Sequence, residues 1–229
     1  MAIVLRGTVH AGVQGVGSSV AVTVDAARQD GDLMLAMING YGNAGVPPSN
    51  PITPAGWTLI GVEKSIGVAQ GTTALGLYRR IASSEPASYT FSNDNAGVSN
   101  YIAASIMVLG GQDPTTPFNL TSLATHGNGT PIATADLGST TRDGCWHILF
   151  ASSYDGISGL PSGYVTDIGY DSTSDYVMHR VVTTAGATGA KSFTIAGTDG
   201  TATWAVAVQP PPAAVLGTRR LWRRMARLT

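Results

Sequence analysis

The feature that most constrains the fold is an internal repeat, which relates residues 30–111 to residues 143–209. Two similar segments in one chain imply two similar structural units that pack on each other. Composition alone makes all-β sequences resemble one another, but here the signals also keep their order. They are Asp30-Gly31 and Asp143-Gly144, Pro54-Ala55-Gly56-Trp57 and Pro161-Ser162-Gly163-Tyr164, Arg79 and Arg180, and Tyr89-Thr90-Phe91 and Phe193-Thr194-Ile195.

Short apolar runs bounded by Gly, Pro, Asn or Ser predict strands throughout both segments. In the run from Ser18 to Ala26, for example, Val20, Val22 and Val24 share one face. No amphipathic helix is evident before residue 213. The predicted strands are 18–26, 31–40, 73–82, 87–93, 100–111, 145–153, 175–184, 191–197 and 202–209.

The repeat and the strand pattern together predict an all-β fold. A four-strand unit leaves one apolar sheet face uncovered, and a second copy packed face to face covers it. We therefore predict a jelly-roll-like β-sandwich built from two repeated four-strand halves over residues 1–209.

Residues 210–229 form a separate segment, a short basic amphipathic C-terminal tail. Residues 1–209 carry 8 basic and 14 acidic side chains, a formal charge of −6, whereas the tail carries five arginines and no acid. Pro210–Pro212 interrupt the last strand, and Thr218 could cap a short helix. In such a helix Leu221, Trp222, Met225 and Leu228 would form one apolar stripe. We predict that the tail docks through this stripe and through the arginines that flank it, Arg219, Arg220, Arg223, Arg224 and Arg227.

A helix this short is marginal in water, so we expect the tail to order when it docks. Trp and Arg are favoured anchors at protein interfaces, which favours another protein as its partner. Nucleic acid is a weaker alternative, because arginines bind phosphate but the stripe of Trp, Leu and Met suits an apolar groove. A membrane surface and plain disorder are the remaining alternatives.

Motifs of the common catalytic and nucleotide-binding sites are absent from the sequence. The four histidines share no metal-ligand spacing, and Cys145 is the single cysteine, which we interpret as a small buried thiol. Asp- and Asn-rich loops such as 92–97 and 169–175 could bind calcium, but turn formation explains them. We predict no catalytic, cofactor-binding or metal-binding residues.

Trp57 and Tyr164 are the two aromatic residues delivered by the repeated Pro-x-Gly turn. Proline presets φ and glycine permits φ > 0, so the turn fixes the direction of the side chain that follows it. One interpretation is that the two rings close equivalent ends of the sandwich. The other is that they stack on a ligand, for which a sugar ring is the natural candidate.

The stretch Gly31–Phe91 resembles virion proteins of tailed bacteriophages that infect actinobacteria. The resemblance is carried by "GDLMLA", "PAGWT" and "ASSEPASYTF", in that order, and continues more weakly to Gly111. Such proteins are described as minor tail or minor structural proteins. The resemblance implies a β-sandwich, a place in the virion and no enzymatic activity.

The leading hypothesis is therefore a non-enzymatic virion component, either a minor tail protein or a capsid decoration protein. Its expected partners are other virion proteins in a symmetric homo- or hetero-oligomer. The start of the chain lacks signal-peptide features, so synthesis in the host cytoplasm is expected. The alternative is a carbohydrate-binding module or host-surface adhesin that uses Tyr41, Trp57, Tyr154, Tyr164 and Tyr170. A hydrolase would need paired carboxylates, and the sequence singles out no pair.

Overall fold

The protein is described by a computed structural model over residues 2–14, 17–43, 50–66, 71–94, 101–128, 132–134, 137–153, 156–169, 175–197 and 200–213. These ranges contain strands, turns and irregular segments but no helix. The all-β prediction is therefore confirmed for the described part of the chain. The predicted docking residues of the tail, from Arg219 to Leu228, lie outside it.

The first half of the chain contributes nine strands to two sheets. The first large sheet has the order β1-β9-β4-β7-β6, with β2 also paired to β9, and the first small sheet has the order β3-β8-β5. The strands are β1 (Val4–Leu5), β2 (His10–Gln14), β3 (Ser19–Thr23), β4 (Leu33–Asn43), β5 (Pro51–Ile52), β6 (Thr58–Ile66), β7 (Gly71–Ile81), β8 (Ser88–Asn93) and β9 (Ile102–Gly110).

The second half contributes eight strands in the same arrangement. The second large sheet has the order β10-β17-β12-β15-β14, and the second small sheet has the order β11-β16-β13. The strands are β10 (Phe118–Asn128), β11 (Ile132–Thr134), β12 (Cys145–Ser153), β13 (Ile157–Gly159), β14 (Val165–Gly169), β15 (Asp175–Val182), β16 (Lys191–Ile195) and β17 (Gly200–Val208).

Three apolar cores separate the four sheets into a stack with the two large sheets in the middle. One core joins the large sheets, through side chains such as Leu35 and Met37 from β4 and Ile148 and Phe150 from β12. A second core lies between the first large and first small sheets, and a third lies between the second large and second small sheets.

The structure contradicts the prediction of one sandwich made from two four-stranded sheets. Each half forms a large and a small sheet of its own, and the two halves pack through their large sheets. The physical reason is visible in the central strands β9, β12 and β17, which are buried at every position. A strand without polar alternation needs cover on both faces, which a two-layer sandwich cannot supply.

The register of the strands corrects one detail of the repeat alignment. Arg80 in β7 lies opposite Met34, and Arg180 in β15 lies opposite His147. Met34 and His147 each follow their Asp-Gly pair by the same number of residues. Arg80, rather than Arg79, is therefore the counterpart of Arg180.

The connection between the halves is held in place by hydrogen bonds of Asp113. Its amide donates to the carbonyl of Gln209 at 2.8 Å, and its carboxylate accepts from Arg142 Nη1 at 2.6 Å. The Arg142 guanidinium, together with the backbone amides of Thr116 and Thr115, holds the pKa of the Asp113 carboxyl well below its usual range. The end of β17 is thereby tied to the inter-half connection.

Candidate functional site: two corner clusters and the interface between the halves

The first corner cluster surrounds Trp57, which the Pro54–Gly56 turn places just before β6. Gly56 has φ +79°, a conformation that favours glycine. The indole is buried, with 6% of its surface exposed, and it meets Tyr89 and Phe91 edge-to-face at centroid distances of 5.3 and 5.8 Å. Trp57 is placed inside the core between the first large and first small sheets.

A buried carboxylate completes this cluster. Glu85 accepts hydrogen bonds from Arg80 Nε at 2.8 Å, from the Ser83 amide at 2.7 Å and from the Tyr89 hydroxyl. Burial by itself raises the pKa of Glu85, but these donors outweigh burial and lower it. Burial and the neighbouring carboxylate raise the pKa of Tyr89 to about 12. The Glu85 charge is therefore neutralised by Arg80, and its hydrogen-bond donors are all residues of this chain.

The second corner cluster surrounds Tyr164, which precedes β14 as Trp57 precedes β6. Tyr164 is half-buried, and its hydroxyl lies 2.6 Å from His147 Nδ1. The guanidinium of Arg180 lies over its ring at 5.4 Å from the centroid. Burial raises the pKa of Tyr164 to about 12, so the phenol stays neutral at physiological pH.

The structure therefore places the two aromatic residues at corresponding corners but in different surroundings. Of the aromatic residues that the carbohydrate-binding alternative would use, Tyr41 and Trp57 are buried. The expectation that these two rings are available to a sugar is wrong. Tyr41 lies within β4 and its hydroxyl contacts the second large sheet, whereas Trp57 packs in the core beside the first small sheet. Tyr154 and Tyr170 lie outside the described residues.

The histidines and the cysteine of the second half have local partners. Cys145 is fully buried, as predicted; burial raises the pKa of its thiol, and the thiol donates to the Arg142 carbonyl at 3.1 Å. His179 Nδ1 lies 2.7 Å from Asp167 Oδ2, and its ring stacks on Trp146 at 4.1 Å. In the part of the chain that the structure describes, no group of three or more His, Cys, Asp or Glu side chains could hold a metal ion.

Sequence reasoning missed a buried polar cluster between the large sheets, formed by Asn39, Tyr41, Thr73, Ser152 and Asp175. Tyr41 donates to Asp175 Oδ1 at 2.9 Å and accepts from Ser152 at 2.9 Å. Asn39 Nδ2 donates to Asp175 at 3.0 Å and also to Ser152. Burial and then the Asp175 charge raise the pKa of Tyr41 well above 10.0.

A signal for this cluster was present in the repeat. Asn39 and Ser152 hold the same position after their respective Asp-Gly pairs, and both are polar residues in largely apolar strands. Polar residues at matching positions of two packed copies can meet across the interface between them. The two do so here, so the cluster forms a hydrogen-bonded connection between the halves.

An open groove follows the line where the edge strands β6 and β10 approach each other. Its volume is about 390 Å³, and its lining includes Leu59, Arg79 and Phe118. The Arg79 guanidinium lies over the Phe118 ring at 5.6 Å. The lining is mainly apolar, so the groove suits contact with an apolar group rather than acid–base chemistry.

Comparisons with known proteins give one weak structural similarity. No protein-family profile matches the chain, and no curated protein matches its sequence. The crystal structure of the STIV MCP, a viral major capsid protein, aligns with a TM-score of 0.31 and 8% identity over 95% of this chain and 99% of that chain. Similarity at this level carries no argument about fold or function. No helix in the described ranges is long and apolar enough to cross a bilayer.

Proposed function

We propose that the chain is a non-enzymatic structural component of a bacteriophage virion, either a minor tail protein or a capsid decoration protein. The observation that carries the proposal concerns the residues on which the resemblance to phage virion proteins rests. Trp57, Glu85, Tyr89 and Phe91 are separated in the sequence but form one packed corner. The similar motifs thus describe a scaffold rather than a catalytic cleft.

The first strand motif of the resemblance has an architectural role as well. Gly31 has φ +90° and donates its amide to the Ala82 carbonyl at 2.8 Å. Asp32 accepts from the Gln29 amide at 2.7 Å and forms an ion pair with Arg6 at 3.2 Å. The first contact joins the start of β4 to the end of β7, and the others join it to the preceding turn and to the segment after β1, which supports a role as a rigid building block.

We further propose that the halves arose from one duplicated jelly-roll-like unit. The inward side chains of β4 and β12 correspond position by position from the Asp-Gly pair: Leu33, Leu35 and Met37 match Trp146, Ile148 and Phe150. All six lie in the core between the large sheets. A duplication explains why the two strand orders are alike and why the matching residues Asn39 and Ser152 meet.

In this proposal the tail attaches the body to the particle, with Trp222 as the main anchor. Pro210 is buried and its carbonyl accepts from Arg142 at 2.9 Å, whereas Pro212 and Ala213 are exposed. The chain thus reaches the surface at Pro212. The five arginines that follow are separated from an acidic body, which favours contact with acidic rims on another virion protein.

The test is a chain that ends at Pro212, which keeps the Arg142 contact. In phage that carry only this form, the body is expected to fold with an unchanged melting temperature but to be missing from purified particles by mass spectrometry. A full-length Trp222→Ala variant should be depleted as well, while Thr229→Ala should be incorporated normally. Normal incorporation of the truncated chain would refute attachment through the tail.

The carbohydrate-binding alternative gains no support from the geometry. Trp57 lies in an apolar core, Tyr41 lies in the buried polar cluster, and the Tyr164 ring is covered on one side by the Arg180 guanidinium. We therefore do not propose it as a second function.

A further inference from the structure

Arg80 and Arg180 hold the same position in the two halves, but their partners differ. Arg80 Nε donates to the Glu85 carboxylate at 2.8 Å. Among the described residues Arg180 forms no ion pair; its Nη2 donates to the Thr188 carbonyl at 3.1 Å, and its Nε is buried without a hydrogen-bond partner. The connection from Thr183 to Ala190 contains no Asp or Glu that could replace Glu85.

The space next to the two arginines differs in the same way. In the first half the Arg80 guanidinium packs on the Pro-x-Gly turn so closely that a Cβ at Gly56 would overlap it. In the second half a Cβ at Gly163, the matching glycine, would meet no atom within 4 Å. A pocket of about 550 Å³ opens between the second turn, Arg180 and the start of β16.

The lining of this pocket suits an anion. Arg180 and Lys191 contribute basic side chains to the lining, Ser162 and Ser192 are exposed at its wall, and none of the described lining residues carries a carboxylate. Lys191 Nζ also donates to the Thr188 carbonyl at 2.7 Å, the same oxygen that Arg180 contacts. Both cationic groups are thereby held on one side of the pocket.

The Arg180 guanidinium is also fixed before any ligand arrives. It stacks on the Tyr164 ring, whose hydroxyl is bonded to His147, and its Nη2 is anchored on Thr188. A guanidinium with a fixed orientation loses little conformational entropy on binding and can bind a planar carboxylate through two parallel hydrogen bonds. Inorganic phosphate could pair with the same basic side chains, but the anion that binds the matching Arg80 in the first half is a carboxylate.

We propose that this pocket, defined by Ser162, Arg180, Lys191 and Ser192, binds an acidic side chain presented by a loop of a partner polypeptide. The first half provides the template, because Glu85 reaches Arg80 from a loop of the chain itself. The partner supplies from outside the carboxylate that the second half lacks. The inference does not depend on the virion assignment, since it rests on the two corners alone.

The experiment is an NMR titration of the ¹⁵N-labelled full chain with the peptide Ser-Ser-Glu-Pro-Ala-Ser-Tyr, the sequence that carries Glu85 in the first half. We expect saturable shifts of the Ser162, Lys191 and Ser192 amides and of the Arg180 Nε–H signal. The peptide with Gln in place of Glu should bind at least fivefold more weakly. Arg180→Gln should abolish the shifts, whereas Lys64→Gln, which removes an exposed charge on β6, should leave them unchanged.

Arg180→Lys provides a second variant that keeps the charge if the first variant fails to fold. It should bind the Glu peptide several-fold more weakly, because an ammonium cannot form the two parallel bonds. Equal binding of the Glu and Gln peptides, or shifts that survive in Arg180→Lys at full strength, would overturn the proposal. So would tighter binding of sodium phosphate or glucuronate than of the Glu peptide, or the same shifts on concentrating the chain alone.

Discussion

At the scale of single residues, Gly61 determines how closely the two halves approach. The indole of Trp204 projects from β17 toward the first large sheet, where its Nε1 donates to the Leu75 carbonyl at 3.0 Å. It lies against Gly61 in β6, and a Cβ at that position would overlap the ring. The ring is rigid and is buried in the core between the two large sheets, so it has no free space into which it could move.

Gly61→Ala is therefore expected to lower the free energy of unfolding by about 1–3 kcal/mol, the range for overpacking a filled core. Urea unfolding followed by tryptophan fluorescence measures the change. Leu59→Ala on the same strand is the control, because Leu59 is exposed and its truncation should cost no more than about 0.5 kcal/mol. Equal stability of Gly61→Ala and the wild type would contradict the close approach.

Glu85 allows a pH test of the first corner cluster. Its pKa is lowered in the folded chain from an ordinary value of 4.5, so its stabilisation is fully present above pH 4.5 and is lost as the pH falls through the folded pKa. Glu85→Gln should cost about 1–3 kcal/mol at pH 7, because Arg80 and Tyr89 lose a charged partner. The difference from wild type should shrink below pH 4.5. A difference that is constant from pH 7 to pH 3 would exclude this linkage.

At the scale of elements, the sequence predicted the strands that carry continuous or alternating apolar residues. It missed β1, β2, β5, β6, β10, β11, β13 and β14, because these are short, glycine-containing or polar, and lie at sheet edges or in the small sheets. Their strand structure depends on partners that are distant in the sequence. The sequence also did not predict the number of layers. The largely apolar runs of β9, β12 and β17 fit a strand covered on both faces, but the small sheets that provide the second cover depend on contacts distant in the sequence.

The candidate site was predictable only in part. The repeat identified Trp57 and Tyr164 as corresponding residues, and the Pro-x-Gly turns explain their positions. It did not identify the Arg180 pocket, because the relevant feature is a carboxylate that the second half lacks. That difference becomes visible only when the register pairs Arg80 with Met34 and Arg180 with His147.

The buried polar cluster between β4, β12 and β15 supports a prediction at the element scale. Tyr41→Phe removes a donor to Asp175 and an acceptor for Ser152, so we expect a loss of about 1–3 kcal/mol in the free energy of unfolding. Tyr101→Phe is the matched control, because Tyr101 is exposed. Chemical denaturation of both variants measures the difference. Equal stabilities would mean that the hydrogen bonds between the sheets contribute nothing net.

At the scale of the whole molecule, the two halves depend on each other for the cover of their large sheets. The inter-half core contains Leu35, Met37, Phe150, Trp204 and many further apolar residues, all buried. Separation of the halves would expose this surface on both large sheets, at a cost of roughly 25 cal/mol for each Å² of apolar area. We therefore expect the full chain to unfold in a single cooperative transition rather than half by half.

Fragments cut in the connection between the halves test this dependence. Residues 1–112 and 113–213 contain all strands of the first and second halves, respectively. Each fragment alone is expected to dimerise or aggregate, because its large sheet exposes an apolar face of a kind that monomeric proteins rarely expose. Mixed together, they should form a 1:1 complex, because each face then regains its matching partner and the Asn39–Ser152 contact can re-form. Light scattering coupled to size-exclusion chromatography distinguishes these states. Two stable monomers that do not associate would show that the large-sheet interface is dispensable, and the four-layer stack would then be two independent sandwiches on one chain.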